Sequence, residues 1–335
     1  MTQVAVADNA LAATAQIPLL EVNGLSVGFG TDRGQLQAID AISYQVMPGK
    51  TLGMVGESGC GKSTTALALM GLLPGSSKVG GTAHFQGQDL LAQSETQWRK
   101  TRGNRIAMIF QEPMTALNPV VPIGDQIGET LVLHEKLDRR AARERAVDML
   151  DEVGIPSARA RAEAYPHQLS GGMRQRAMIA MALACRPSLL LADEPTTALD
   201  VTIQAQILEL MLELQDRIGM AIQFISHNLG VVSELADDIV VMYAGRIVER
   251  APTAELFAAP RHPYTQGLIH TLPNLAHRQS RLPVIPGGMP NLVFKTQGCR
   301  FADRCAQVMP TCRDDVPTLQ ALSPNHDVAC FRAVP

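Results

Sequence analysis

The chain has 335 residues, length for about two domains at ~150 residues each and for an ample buried core. Hydrophobic residues at 46% and charged residues at 18% are ordinary globular usage and exclude a chain disordered throughout. With 29 Lys and Arg against 32 Asp and Glu, a net charge of −3, no global positive field draws it onto nucleic acid.

Residues 1–18 are small, polar and aperiodic, and Pro18 closes them off as a loose leader. The first basic residue is Arg33, so the start lacks the positive region of a secretory signal and the arginines of a transit peptide, and a cytoplasmic protein is expected. Over residues 19–46 two β-type runs, LLEVNGLSVGF and LQAIDAISYQV, flank the turn-rich GTDRG and predict an antiparallel hairpin. Pro48-Gly49 then turns the chain into Thr51-Leu52-Gly53-Met54-Val55, a buried strand. After a glycine-rich stretch, residues 64–73 have helical length and Pro74-Gly75 is expected to end them.

Residues 139–153 read as a half-solvated surface helix, with Ala146, Val147, Leu150 and Val153 on one stripe, Asp138 as cap and Gly154 as end. The longest apolar run, residues 177–185, falls short of the ~20 residues that a bilayer-crossing helix needs. Residues 188–192 and 221–225 are short apolar runs that follow helical segments, as parallel strands buried on both faces do, so the core is α/β. Beyond Pro260 the composition shifts to Pro and Cys, and a small appended module begins.

Gly56-Glu57-Ser58-Gly59-Cys60-Gly61-Lys62-Ser63 matches G-x-x-x-x-G-K-[ST] between a predicted strand and a predicted helix, the context this phosphate-binding loop requires. Its glycines let backbone N–H groups curl round the phosphates of ATP, where the helix N-terminus, headed by Thr64, adds partial positive charge. Lys62 is expected to reach the β- and γ-phosphates and Ser63 to ligate Mg²⁺, with Cys60 only a tolerated loop residue. Further on, Asp193 and Glu194 end an apolar strand where open α/β sheets place ligands. Asp193 is read as a Mg²⁺ holder through water, and Glu194 as the group that activates the attacking water.

Leu169-Ser170-Gly171-Gly172-Met173 opens a helical run and closely matches LSGGQ; here the sequence resembles the ATP-binding cassette family, with Met173 departing from the commonest Gln. Physically, Ser170, Gly171 and Gly172 at a helix N-terminus make a second anion cradle. The resemblance implies that the signature of one subunit closes over the nucleotide held by another. It also implies that Gln111 is the Q-loop glutamine near Mg²⁺, that Ala198-Leu199-Asp200 is the loop across the dimer interface, and that His227 is the switch histidine on the γ-phosphate. Phe29 is the candidate for stacking on adenine, an ordinary hairpin-core Phe being the alternative.

The segments QEPMTALNP from Gln111, ADEPTTALDV from Ala192 and RHPYT from Arg261 resemble the ATPase subunits of dipeptide and oligopeptide importers, a branch that also carries nickel and other small solutes. The fold implied is an α/β P-loop NTPase of the cassette type, with an N-terminal antiparallel β subdomain, a helical signature subdomain and a small Cys-rich C-terminal extension. The expected division is 1–18 leader, 19–272 ATPase domain and 273–335 Cys-rich module. The implied partners are two transmembrane permease subunits, a second cassette subunit, identical or different, and an extracytoplasmic solute-binding protein reached through the permeases. The implied place is the cytoplasmic face of the membrane. A soluble cassette ATPase acting on nucleic acid or ribosomes is the rival reading; such proteins usually carry long coiled-coil insertions or two cassettes, and neither is present.

Cys299, Cys305, Cys312 and Cys330 fall in a Pro-rich segment too short and polar to build a core alone. Disulfides are disfavoured in a reducing cytoplasm, and structural zinc usually uses closer C-x₂₋₄-C pairs. Four thiolates with this looser spacing suit a [4Fe–4S] cluster, which the peptide-importer resemblance favours; zinc and reduced thiols stay open. Cys185 reads as packing, and His326 as a surface residue rather than a ligand. Since no cassette motif lies in this module, the chemistry at Lys62 and Glu194 is expected to tolerate its loss better than assembly of the complex does.

Overall fold

The computed structural model describes residues 17–32, 34–112, 116–197, 199–272, 284–290, 292 and 297–333. Most of the expected leader, Arg33 in the hairpin turn, Pro113-Met114-Thr115, Ala198 and residues 273–283 lie outside the described residues.

The two runs around Gly30 pair as an antiparallel hairpin, β1 (Leu20–Thr31) and β2 (Gly34–Val46). β3 (Thr51–Val55) follows with every residue buried, then α1 (Lys62–Leu69), β4 (Lys78–Phe85), β5 (Gln88–Asp89), α2 (Glu95–Thr101) and β6 (Ile106–Ile109). A helical stretch comes next: α3 (Ile123–His134), α4 (Arg139–Glu152), α5 (Ala158–Ala162) and α6 (Gly171–Leu183). The chain returns through β7 (Leu189–Asp193), α7 (Val201–Ile218), β8 (Ala221–Ser226), α8 (Leu229–Ser233), β9 (Asp238–Tyr243), β10 (Arg246–Pro252), α9 (Thr253–Ala258) and α10 (Pro263–His270). Near the C-terminus are α11 (Thr311–Asp314), β11 (Gln320–Ser323) and β12 (His326–Val328).

The strands form two sheets, one ordered β2-β1-β4-β5 and antiparallel, the other β11-β12-β10-β9-β3-β8-β7-β6. In the larger sheet β9, β3, β8, β7 and β6 run parallel, while β10, β12 and β11 add on antiparallel. Side-chain alternation sets the layers. Leu189 and Leu191 of β7 face a core shared with the small sheet and α1, whereas Leu190 and Ala192 face the helices. Being buried on both sides is why these strands read as unbroken apolar runs. Tyr44 of β2 ties the layers together by donating its hydroxyl to Gln223 of β8, 3.1 Å away and fully buried.

Two helix ends illustrate the local chemistry. Asp138 caps α4 by accepting from the N–H groups of Arg140 and Ala141 at 2.9 Å, and its buried face is Ala142, Ala146, Met149 and Leu150. The helix expected over residues 64–73 instead starts at Lys62 and stops earlier. Gly71, at φ +59°, takes the left-handed conformation, and Leu72 N–H donates back to Leu67 at 2.9 Å, closing the helix before Pro74 is reached. A side chain there would also meet the Trp98 ring at 2.7 Å.

The C-terminal module is hydrogen-bonded into the main sheet rather than appended beside it, because β12 pairs with β10 at Glu249 and Arg250. His326, expected at the surface, is buried beneath this hairpin with its ring nitrogens 2.7 Å from Glu249 and 3.1 Å from Glu255. The register that puts Val328 opposite Glu249 turns that face of β12 inward.

Candidate active site

The phosphate loop leaves β3 and enters α1 through two glycines where a side chain would be crowded or strained. A Cβ on Gly56 would lie 2.2 Å from the Met242 carbonyl, and one on Gly61, at φ +107°, 3.0 Å from the Ala38 carbonyl. Between them Ser58 and Gly59 are exposed at the crown, while the Cys60 side chain turns inward and burial raises its thiol pKa. The Lys62 ammonium is buried and donates to the carbonyls of Gly56 at 2.7 Å and Glu57 at 3.1 Å. Thr64 follows, half-buried, in the first turn of α1.

Ser63 Oγ donates to Asp193 Oδ1 at 2.9 Å, joining the head of α1 to the end of β7. Burial raises the Asp193 carboxyl above the usual carboxylate range; the Ser63 hydrogen bond opposes the rise, Glu194 adds to it and Lys62 opposes it. A hydroxyl beside a buried carboxylate is the hard-oxygen donor set that suits Mg²⁺.

Glu194 is held at φ +46°, a left-handed conformation unusual for this residue, with its N–H donating to Ile225 of β8 at 2.9 Å. That turn aims its carboxylate at three other groups. Glu194 Oε2 accepts from Gln111 Nε2 at 3.2 Å and from Thr197 Oγ1 at 2.9 Å, and lies 3.1 Å from His227 Nδ1. The carboxylate is 9% exposed and the His227 ring 56%, so the acid sits at the floor of the site with the imidazole on its rim. Gln111, Glu194 and His227, from three separate motifs, are thus brought together. Thr197 was not singled out from the sequence; only the turn after Glu194 puts its hydroxyl on the same oxygen.

Ser170 caps α6, its hydroxyl accepting from Met173 N–H at 3.3 Å. Ser170 and Gly171 are exposed, and a Cβ on Gly171 would meet nothing within 4 Å, so the cradle opens outward. Met173 packs against the core, which accounts for an apolar residue at the place of the usual Gln. Asp200 caps α7 by accepting from Ile203 N–H at 2.9 Å. Phe29 is half-buried against the second core opposite Leu36.

The structure adds a contact that no motif announced: Arg304, beside Cys305, forms a two-pronged ion pair with Glu57 of the phosphate loop. The C-terminal module, which carries no cassette motif, thus contacts the phosphate loop at Glu57.

Cys299, Cys305, Cys312 and Cys330 all line one small cavity of about 20 Å³, walled by Phe301, Ala302 and Pro317. Burial pushes the Cys299 thiol up to about 11 and raises Cys305 as well. The donor chemistry is that of a four-thiolate site, yet among the described residues no three His, Cys, Asp or Glu side chains are placed to hold a metal ion. Among the described residues no helix is long and apolar enough to cross a membrane.

Two family models match the chain: ABC transporter over residues 39–197, and the C-terminal region of oligopeptide/dipeptide transporters over residues 248–312. The probable peptide ABC transporter ATP-binding protein y4tR of Sinorhizobium fredii is 52% identical over 318 residues, covering 94% of this chain and 95% of that protein. The oligopeptide transport ATP-binding protein OppD of Salmonella typhimurium is 48% identical over 316 residues, with 94% of each covered. Among solved structures, the fold is shared with the ATP-binding cassette MJ0796 in a dimeric post-hydrolysis state bound to ADP and Pi (TM-score 0.63, 23% identity, 70% of this chain and 98% of that one). It is shared too with cbiO1 of Clostridium perfringens, part of the ABC transporter complex cbiONQ (TM-score 0.61, 26% identity, 72% and 91%). The chain belongs to the ATP-binding cassette transporter family, as an ATPase of the branch that carries the oligopeptide/dipeptide transporter C-terminal region.

Proposed function

We propose that the chain hydrolyses ATP to drive import of di- or oligopeptides, sitting on the cytoplasmic face of the membrane against two permease subunits and a second cassette, with an extracytoplasmic binding protein delivering the solute. The observation that carries the chemistry is the convergence of Gln111, Thr197 and His227 on Glu194 Oε2, beside the Ser63–Asp193 pair. The peptide reading is supported by the likeness to peptide-import ATPases along nearly the whole chain.

Lys62 and the loop amides bind and orient the phosphates. Glu194 takes the proton of a water as its oxygen attacks the γ-phosphorus and the bond to the β-phosphate oxygen breaks. Gln111 and His227 hold that carboxylate in place, and His227, on the rim, is the proposed partner of the γ-phosphate. Ser63 and Asp193 would hold Mg²⁺, with Gln111 beside it, to neutralise phosphate charge. Phe29 is the proposed adenine platform. Ser170, Gly171, Gly172 and Asp200, on exposed helix N-termini, serve the nucleotide of the partner cassette.

Copurification with membrane permeases, followed by ATPase assays of the assembled complex with binding protein and peptides, tests this reading. Stimulation by nickel or another small solute and not by peptides would replace the substrate; copurification with ribosomes or nucleic acid and no permease would overturn it.

Cys299, Cys305, Cys312 and Cys330 are proposed as [4Fe–4S] ligands on the importer resemblance and on their lining one cavity, although no three of them are placed to hold a metal ion, and without a role in the hydrolytic steps. Anaerobic purification should give brown protein with about four irons per chain. Colourless protein, or stoichiometric zinc, would remove the cluster.

A further inference from the structure

The start of the phosphate loop is anchored by residues far along the chain. Glu57 N–H donates to the Tyr264 hydroxyl at 2.9 Å. Its carboxylate accepts at both oxygens from one guanidinium, Arg304 Nη1 at 2.9 Å and Nη2 at 3.0 Å. Glu57 is 30% exposed, but Arg304 is only 6% exposed, so this is not a loose surface pair. The guanidinium is fixed independently of Glu57: Nε donates to the Pro286 carbonyl at 2.8 Å, Nη1 also lies 3.3 Å from the Tyr243 hydroxyl, and the group rests 5.6 Å over the Tyr243 ring and 5.9 Å over Phe301.

The segment that carries Arg304 is itself pinned. Cys299 N–H donates to the Cys312 carbonyl at 2.7 Å, Arg300 bonds to Asp40 and to the Ala244 carbonyl, and Phe301 packs edge-on against Tyr243 with ring centroids 5.1 Å apart. At the other end of the contact, the Glu57 carbonyl receives both the Lys62 ammonium at 3.1 Å and the Cys60 N–H at 3.2 Å. Where Glu57 sits therefore sets where the Lys62 charge and the loop amides sit.

We propose that Arg304 is a positioning residue for ATP binding: acting through Glu57, it holds the phosphate loop in its binding conformation, so that the order of the Cys-rich module sets nucleotide affinity. The inference rests on the phosphate-loop reading of Gly56 to Ser63. With Arg304 in place the loop is ordered before ATP arrives; without it, the cost of ordering falls on the binding step. Once ATP is bound its own contacts order the loop. The signature is a rise in KM with kcat little changed.

The test uses the full-length chain with MgATP. Arg304→Gln should raise KM about ten-fold, the scale of one charge-assisted hydrogen-bonded pair, and change kcat by less than about two-fold. Arg304→Lys, which keeps the charge but not the fork, should fall between it and wild type. Glu57→Gln, a change in the loop that leaves the module intact, should raise KM as much as Arg304→Gln, and the double variant should be no worse than either. A KM unchanged in both single variants, or single effects that multiply in the double, would overturn the inference; so would a fall in thermal stability with KM unmoved, the mark of a contact that only glues the module on. Lys62→Ala separates the two readings, since normal ATP binding in that variant breaks the phosphate-loop assignment itself.

Discussion

The strand-end site and the C-terminal module are built by opposite means. Around Gly56 to Ser63 and Asp193 to Thr197 each group lies on a strand end or helix start inside a recognisable motif, and the motifs then meet across the sheet, Ser63 with Asp193 and Gln111 with Glu194. In the module the contacts that tie it to the cassette carry no motif and are distant, with Arg304 reaching Glu57 across 247 positions and His326 reaching Glu249 across 77. A site made of local motifs tolerates being read one segment at a time. A module held by long-range side-chain contacts is invisible until the chain is folded, and its influence travels through those contacts.

On that contrast, changes at the strand ends damage turnover and spare the fold, while changes in the module act through the contact they remove, on nucleotide affinity at Arg304 and on stability at His326. The largest effect should come from Glu194→Gln. Losing the base lowers ATP turnover about 10³-fold in steady-state assays while nucleotide binding persists; wild-type turnover would break the site side of the comparison. Ser170→Arg should come next. Binding of ATP to the single chain stays near normal, but a bulky cation in the outward cradle blocks ATP-driven dimerisation measured by light scattering, and unchanged dimerisation would refute the role given to α6.

On the module side, His326→Ala removes the imidazole from the fully buried Glu249, which keeps the N–H groups of Arg261 and His262, and should cost about 2 kcal/mol in denaturant unfolding. A loss within 0.5 kcal/mol, roughly that of a surface change, would blur the distinction. The last effect concerns pH. His262 is buried, its Nδ1 accepts from Tyr264 N–H at 3.0 Å, and burial pushes its pKa from 6.5 down to about 3. A depressed folded pKa means that its contribution is complete above pH 6.5 and is lost as pH falls toward 3, at up to ~1.4 kcal/mol per pH unit. In His262→Asn, which keeps an acceptor, the unfolding free energy should flatten over that window relative to wild type.

Much of the cassette was legible because its strands are buried on both faces and its helix starts are marked by Asp138, Ser170 and Asp200. The helix end at Gly71 was misplaced because Pro74-Gly75 is the louder signal, although a left-handed glycine alone suffices to stop α1. Of the site residues, Lys62 and Ser63 declared themselves by spacing. His227 and Gln111, which meet Glu194 from separate segments, were legible only as members of a complete family set. His326 was misjudged because nothing within its own hairpin reveals that Glu249 lies opposite, and Tyr264 and Arg304 went unread for the same reason.

The pairing of β10 with β12 also orders events at the ribosome. Until Asp327 emerges, 77 residues after Arg250, β10 presents an open edge of the main sheet. At ~5–20 residues per second that interval lasts roughly 4–15 s, during which its free N–H and C=O groups are a template for other chains. A message cut short between Pro252 and His326 would release a chain that has every ATP-binding motif and keeps that edge bare, so early termination in this stretch favours aggregation over a simple loss of the last segment.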